Sequence, residues 1–337
     1  MNREQIDQLV ENCGFPDQCN DTRVYETHIS WVILTDRYAF KVKRPVKYSF
    51  LDFSSPDRRK YFCEQEVVLN RRLAPGMYLG VIPITEEMLK GKKNGEEGAG
   101  EEQPLEYAVQ MKRMDNEKEM DRLLKDGRVE SAHLDKLAAK IAGFHRDTRI
   151  IKNVFDTTGF QDTFADLLTE GDFIGQTLGD DMAEKVRKCV DHSNAFLNAS
   201  RNYFNQRIIT GFRRDCHGDL NASNIFLYDD PVIFDCIEFN KEFRHIDVLN
   251  EIAFLCVDLD FFGDHRMSDH FYDQYLKALG AENNEDSRRL FMYYKSYRAN
   301  VRAKVTALSA KQKEENSQEM EDLKQYLTMM DRYCREY

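Results

Sequence analysis

Residues His217 to Asn224 read HGDLNASN, with Asp219 five positions before Asn224 and His217 two before the aspartate. A carboxylate and an amide at that spacing, in a run of turn-forming residues, can face one cavity once the chain doubles back. There the aspartate can accept or orient the proton of an attacking hydroxyl, and the asparagine carbonyl can ligate Mg²⁺. Asp235 ends the apolar run Val232 to Phe234, just past the turn residues Asp229, Asp230 and Pro231. It adds a second hard oxygen donor of the kind Mg²⁺ takes. An ordinary surface turn with side-chain to backbone hydrogen bonds would use the same octapeptide, but it would not call for Asp235.

A second group of residues stands far upstream. In YAFKVKRPV the strand period of two sets Phe40 and Val42 on one face, and Ala39, Lys41 and Lys43 on the other. A lysine beside a small alanine fits a strand that leaves room for adenine and reaches phosphate oxygens. A solvated sheet face with two lysines has the same pattern. The following helix decides between them. Phe62, Glu66, Leu69 and Leu73 share a face at 4-3-4 spacing, so Glu66 sits in an apolar stripe and needs a cationic partner, for which Lys41 is suited. Glu64 ranks second.

These residues must be positioned by two kinds of structure. Residues 1–115 read as an amphipathic N-terminal helix (Ile6, Leu9, Val10), then short β-rich runs interrupted by one helix. That helix starts at Ser55-Pro56-Asp57 and stops near Ala74-Pro75-Gly76. YLGVIPIT and LEYAVQMKRM are two further strands, joined by the charged, glycine-rich KGKKNGEEGAGEEQP, which reads as a mobile hairpin tip. Residues 116–337 are mainly helical, with periodic stretches in ESAHLDKLAAKIAGFHRDT and over 181–205, 246–262 and 284–308. His145 continues the apolar stripe of Leu134, Ala138 and Ile141 and reads as a core histidine. The fold class is α+β: an antiparallel sheet with a helix, then a larger helical lobe that carries the polar loop. Clefts between domains are where ligands usually bind.

Composition narrows the function. The formal net charge of -11 argues against a nucleic-acid binder. No apolar run approaches the roughly 20 residues of a membrane span. The start MNREQIDQLVENCGF lacks an apolar core behind basic residues, so no secretory signal and a cytoplasmic location are expected. The eight cysteines are scattered, Cys13 and Cys19 being the closest pair, and no CxxC occurs. Reduced, mostly buried thiols are expected, with no zinc site.

YAFKVK, the helix glutamate, HGDLNASN and FDCIEF, in this order, resemble the aminoglycoside phosphotransferase family of the protein-kinase-like superfamily. RHIDVLNEIAFL is similar to the family segment whose aspartate braces the catalytic loop, and Asp247 matches that aspartate. THISWVIL and FCEQEVVLNRRLAPGMYLGVIPIT look closer still to an uncharacterised bacterial branch, some of whose members carry an extra P-loop domain. No G-x-x-x-x-G-K-[ST] occurs here, so that second activity is not expected.

The resemblance implies a two-lobed kinase-like fold binding MgATP, with a hydroxyl-bearing small molecule as phosphoryl acceptor. By it Lys41, held by Glu66, contacts the α- and β-phosphates, and Asn224 and Asp235 hold Mg²⁺. Asp219 is the catalytic residue, while His217 and Asp247 support its loop. YAVQMKRM would be the adenine-reading hinge through Met111 and Arg113.

Three departures stand out. YETHISW (Tyr25 to Trp31) lacks the glycines of a phosphate loop, so backbone amides of His28 to Ser30 would cover the phosphates. Asp235 is followed by Cys236 and Ile237, which removes a glycine pivot. About a hundred residues, many helical, separate YAVQMKRM from His217, which favours a walled small-molecule pocket over an open peptide groove.

Lys295, Arg298 and Arg302 share a helix face at 3-4 spacing, and Arg298 and Arg302 are candidates to grip an anionic acceptor. A solvated face pairing with acids such as Glu314 and Glu315 is the alternative. Two other functions stay open: a nucleotide-binding pseudo-enzyme acting as scaffold or sensor, and a protein kinase. The eleven residues between Asp235 and Asp247 contain no serine, threonine or tyrosine, which counts against control by phosphorylation there.

Overall fold

The computed structural model describes residues 1–91, 103–262, 265–312 and 317–337. Most of the charged segment between the two later strands, and Glu314 and Glu315, lie outside the described residues. The chain divides into two compact units: Met1–Glu119 with Val232–Lys241, and Met120–Pro231 with Glu242–Tyr337. The Asp235 segment thus belongs with the N-terminal unit, although its place in the chain put it with the helical part.

The first unit is built on a five-stranded antiparallel sheet. Its strands are β1 (Arg23–Glu26), β2 (Ser30–Leu34), β3 (Tyr38–Lys43), β4 (Tyr78–Ile84) and β5 (Glu106–Lys112), in the order β1-β2-β3-β5-β4. β3 is central and buried on both faces. Phe40 and Val42 pack with Ile6 and Leu9 of α1 (Arg3–Glu11), Trp31, Ile33 and Met88, while Ala39 packs with Cys63, Val67, Tyr78, Val109 and Met111. The period-two split of YAFKVK therefore holds. α1 opens on Asn2, whose side chain takes the Gln5 N–H while the Gln5 side chain takes the Asn2 N–H.

α2 (Pro56–Asn70) starts as its sequence implies, with Ser55 accepting the Arg58 N–H at 3.3 Å and proline in the first turn. It ends at Asn70, before the proline that was read as its stop. Its buried side is Arg59, Cys63, Glu66, Val67 and Asn70, one position round from the stripe expected through Phe62 and Leu69. The reason is that this face is largely polar and internally paired. Arg59 donates to Glu106 at 2.7 and 2.8 Å, and Asn70 donates to the Glu66 carbonyl at 2.9 Å. Hydrophobicity alone could not select it. Glu66 is on the true buried face, and Glu64 is exposed.

Cys13 and Cys19 form a disulfide, against the expectation of uniformly reduced thiols. The turn between them, with Cys13 at a φ of 49°, brings their Cα atoms to 5.8 Å. The other six cysteines are buried and outside any disulfide. Inside the disulfide loop, Asp17 accepts from Thr35 Oγ1 at 2.6 Å, the Arg37 N–H at 2.8 Å and Arg37 Nε at 2.8 Å, and so pins the turn leading into β3.

The second unit is helical. Its main elements are α3 (Ser131–Asp147), α4 (Asp180–Ala199), α5 (Arg201–Ile209), α6 (Val248–Phe261), α7 (His265–Leu279), α8 (Glu285–Gln312) and α9 (Ser317–Cys334). The stretch read as one helix over 181–205 is broken at Ser200. α6 is the axis of the unit, since every residue from Val248 to Asp260 is buried. Two short strands, β6 (Arg213–Asp215) and β7 (His245–Asp247), pair antiparallel in front of it. His145 is fully buried, with Nδ1 2.7 Å from the Tyr275 hydroxyl, as a core histidine should be. Among the described residues no helix is long and apolar enough to cross a membrane.

Asp17 gives the fold an acid-sensitive anchor. Burial alone would raise its carboxyl, but the bonds from Thr35 and from both the backbone and side chain of Arg37 outweigh it and hold the pKa below the usual range. A lowered folded pKa means that this stability is complete above the unfolded value of about 3.9 and is lost as the pH falls below it. Asp17→Ala should cost about 1–3 kcal/mol at neutral pH, and its stability should fall less steeply than wild type below pH ~4, measured by denaturant titration across pH.

Candidate functional site

Two clusters, one in each unit, hold Lys41, Glu66 and Asp235 in the first and His217, Asp219 and Asn224 in the second. In the first, β3 presents Lys41 and Lys43 to α2. Glu66, fully buried, lies between them, with Oε1 3.0 Å from Lys41 Nζ and Oε2 2.6 Å from Lys43 Nζ. Lys41 Nζ also meets Asp235 Oδ1 at 2.5 Å. Lys43 is paired in addition with Glu238. Burial opposes the Lys41 charge, yet Asp235, Glu66 and Glu238 together outweigh it and hold its pKa above the ordinary lysine value. The Lys41 side chain keeps 11% exposure and that of Lys43 only 1%, so Lys41 is the one that can meet a ligand.

Asp235 sits at a φ of 62°, a left-handed backbone uncommon outside glycine and characteristic of functional sites. Neighbouring contacts hold it there. Its N–H donates to the Tyr78 hydroxyl at 3.2 Å, and the Cys236 N–H donates to Asn70 Oδ1 at 2.8 Å.

The second cluster is the HGDLNASN loop. Asp219 and Asn224 come together as their spacing implies: Asn224 Nδ2 donates to Asp219 Oδ2 at 2.8 Å and to the Asp219 carbonyl at 2.9 Å. His217 Nδ1 accepts the Asp219 N–H at 3.3 Å. Gly218 takes a φ of 92°, which lets the chain turn sharply before the aspartate.

α6 cradles this loop from below. Glu251 accepts the N–H groups of His217 at 2.6 Å and Gly218 at 3.0 Å, and Asp258 accepts the Ala222 N–H at 2.8 Å. Seven residues separate the two acids, which places them on one side of the helix two turns apart. Sequence reasoning missed both. The signal was the presence of acids inside the apolar run NEIAFLCVDLD, since buried carboxylates need donors.

Three assigned roles need correction. Asp247 does not bind the loop through its carboxylate. It pairs with Arg207 at 2.6 and 2.8 Å and caps α6 through the Leu249 N–H at 2.8 Å, leaving the bracing to Glu251 and Asp258. Arg113 is committed elsewhere. Its N–H donates to the Arg37 carbonyl at 2.8 Å, and its guanidinium to the Thr35 carbonyl at 2.8 Å and to Asp21 at 2.7 Å. Met111 is buried beside Ala39, which is its β3 partner. In the β1–β2 turn, the amides of Ile29 and Ser30 donate to Thr27 Oγ1 at 3.3 and 2.9 Å, so they are already used.

Arg298 and Arg302 do not form a freely solvated face, because α8 packs its cations on α6; the Arg302 side chain keeps 27% exposure. Arg298 Nε donates to Asn250 Oδ1 at 2.7 Å, Arg302 chelates Asp258 at 2.8 Å, and Lys295 meets Asp260 at 2.7 Å. Both guanidinium groups lie over the Phe254 ring. Arg302 thus bears on the loop through Asp258, and its charge also interacts with that of Asp219. Arg302→Met would leave Asp258 buried without its cation, and should destabilise the protein by about 3–5 kcal/mol in equilibrium unfolding.

No family model matches the chain. An uncharacterised protein of Mycobacterium tuberculosis (strain H37Rv) is 31% identical over 291 residues, covering 84% of this chain and 54% of that protein. An uncharacterised Mycobacterium bovis protein matches to the same extent. The chain thus spans about half the length of these relatives. Solved structures resemble it over nearly its whole length. A choline/ethanolamine kinase family protein from Mesorhizobium loti has a TM-score of 0.57 at 12% identity, covering 98% of this chain and 94% of that one. A choline kinase from Cryptosporidium parvum has a TM-score of 0.56 at 10% identity, with 99% and 95% covered. The GDP complex of aminoglycoside 2'-phosphotransferase-IIIa has a TM-score of 0.55 at 14% identity, with 97% and 99% covered. With its antiparallel N-terminal sheet and its larger helical unit, the chain has the protein-kinase-like fold of the aminoglycoside phosphotransferases and the choline and ethanolamine kinases.

Proposed function

We propose that the chain is a phosphotransferase that moves the γ-phosphoryl group of MgATP to a hydroxyl of a small molecule. The observation that carries this reading is the buried Glu66 carboxylate holding Lys41 next to Asp235, with Lys41 still partly exposed. A lysine kept charged by a buried glutamate, beside a carboxylate on a left-handed backbone, suits the α- and β-phosphates of a nucleotide and its metal. The Asp219–Asn224 pair supplies the remaining groups. Three of the similar structures are GDP complexes of aminoglycoside phosphotransferases, which supports a nucleotide as one substrate.

In this reading Lys41 binds the α- and β-phosphates and Glu66 orients it. Met111 lies on the strand whose backbone would read the adenine edge. The carboxylate of Asp235 and the amide oxygen of Asn224 are hard donors of the type Mg²⁺ prefers. Asn224 already turns its nitrogen to Asp219, so its oxygen is the atom offered to the ion. Mg²⁺, when bound, neutralises charge on the phosphate oxygens. Asp219 accepts or orients the acceptor hydroxyl proton as the new P–O bond forms and ADP leaves. The protein contributes positioning and charge compensation. The many helices between β5 and the loop favour a small acceptor over a peptide.

Two measurements test this. Isothermal titration should show MgATP binding by wild type, and a screen of hydroxylated metabolites, sugars and aminoglycosides should find ATP consumption with at least one. With that acceptor, Asp219→Asn should lower the rate about 10²–10⁴-fold while MgATP affinity stays nearly unchanged. Retention of most of the activity by Asp219→Asn would remove it as the catalytic residue.

A further inference from the structure

The first cluster contains an ion pair that the proposed chemistry does not use. Lys43 is two residues beyond Lys41 on the same face of β3, and its ammonium lies between Glu66, at 2.6 Å, and Glu238. Both side chains of the Lys43–Glu238 pair are buried, with 1% and 4% exposure, so neither can meet a substrate. A buried charged pair of this kind adds little net stability over apolar residues of the same volume. Its place beside Glu66 and three residues after Asp235 points to a role in geometry. We infer that Lys43 and Glu238 are positioning residues, which keep Glu66 available to Lys41 and fix the segment that carries Asp235. The inference rests on the phosphotransferase reading above.

Charge counting supports it. Lys41 and Lys43 share the single carboxylate of Glu66. Once Asp235 is given to a metal ion, the two ammonium groups would have only that carboxylate between them. Glu238 restores two anions to two cations. It occupies Lys43, so that Glu66 is not drawn away from Lys41.

Chain connectivity supports it independently. Glu238 is three residues after Asp235. Between them the backbone is tied at Asp235 to the Tyr78 hydroxyl and at Cys236 to Asn70, and Asn70 in turn bonds the Glu66 carbonyl. The Lys43–Glu238 pair closes this set of anchors from β3. Cys236 and Ile237 offer no glycine pivot, and the left-handed Asp235 is held through its own amide and that of Cys236.

The test is Lys43→Met combined with Glu238→Gln. Removing both charges avoids an unpaired buried ion and keeps side-chain volume, so the double variant should melt close to wild type. Adenosine and MgATP are then titrated by calorimetry. Adenosine carries no phosphate and should bind as to wild type, whereas MgATP should bind about tenfold more weakly or worse, because the segment that carries Asp235 has lost its tie to β3, a loss the size of one charge-assisted contact. Glu238→Gln alone, which leaves Lys43 to compete with Lys41 for Glu66, is a second variant and should show the same split at least as strongly. Wild-type MgATP affinity in a folded variant, or equal weakening of adenosine and MgATP, would overturn the inference alone. A wild-type protein that binds no MgATP would overturn the functional reading and this inference together.

Discussion

The N-terminal unit is organised around one buried carboxylate. Glu66 is completely removed from solvent, which costs several kcal/mol unless cations and donors compensate. Compensation comes from two lysines on one strand face, and this requirement sets much else. β3 must be central, so that its residues are buried on both faces. α2 must turn its polar side inward, with Arg59 anchored on Glu106 and Asn70 holding both the Glu66 carbonyl and the Cys236 amide. The segment 235–238 must join this unit, because its two acids complete the charge balance of Lys41 and Lys43.

The helical unit answers the same problem with a different element. α6 is buried on every side yet carries Asn250, Glu251, Asp258 and Asp260. None of these is left to repel its surroundings. Glu251 and Asp258 satisfy backbone amides of the HGDLNASN loop, which would otherwise be unpaired in the interior. Asn250, Asp258 and Asp260 take the cations of α8, and Asp260 also takes the Tyr333 hydroxyl. The loop is thereby fixed by a rigid helix instead of by its own turn propensity. A loop that must hold a carboxylate within hydrogen-bond reach of a reacting hydroxyl needs such a support.

What could be read from the sequence alone was what depends on local periodicity and local spacing. The two faces of YAFKVK follow from the pleat of a strand. The start of α2 follows from Ser55-Pro56, and the core position of His145 from helical spacing. The meeting of Asp219 with Asn224 follows from five residues of turn-forming chain. Only the tertiary structure decided which partner each buried charge would take, because those partners lie far away in sequence. Lys43 and Glu238 are 195 residues apart, and Lys41 and Asp235 are 194 apart. A periodic stripe of arginines looks the same whether it faces water, a ligand or the acids of another helix, so the pairing of Arg298 and Arg302 with α6 is not legible from it. The bracing expected of Asp247 rests on a family resemblance and falls instead to Glu251 and Asp258, and the periodicity of α2 does not reveal that its buried side is polar. Periodicity reports that a face is distinct; the identity of what covers it is a property of the packed chain.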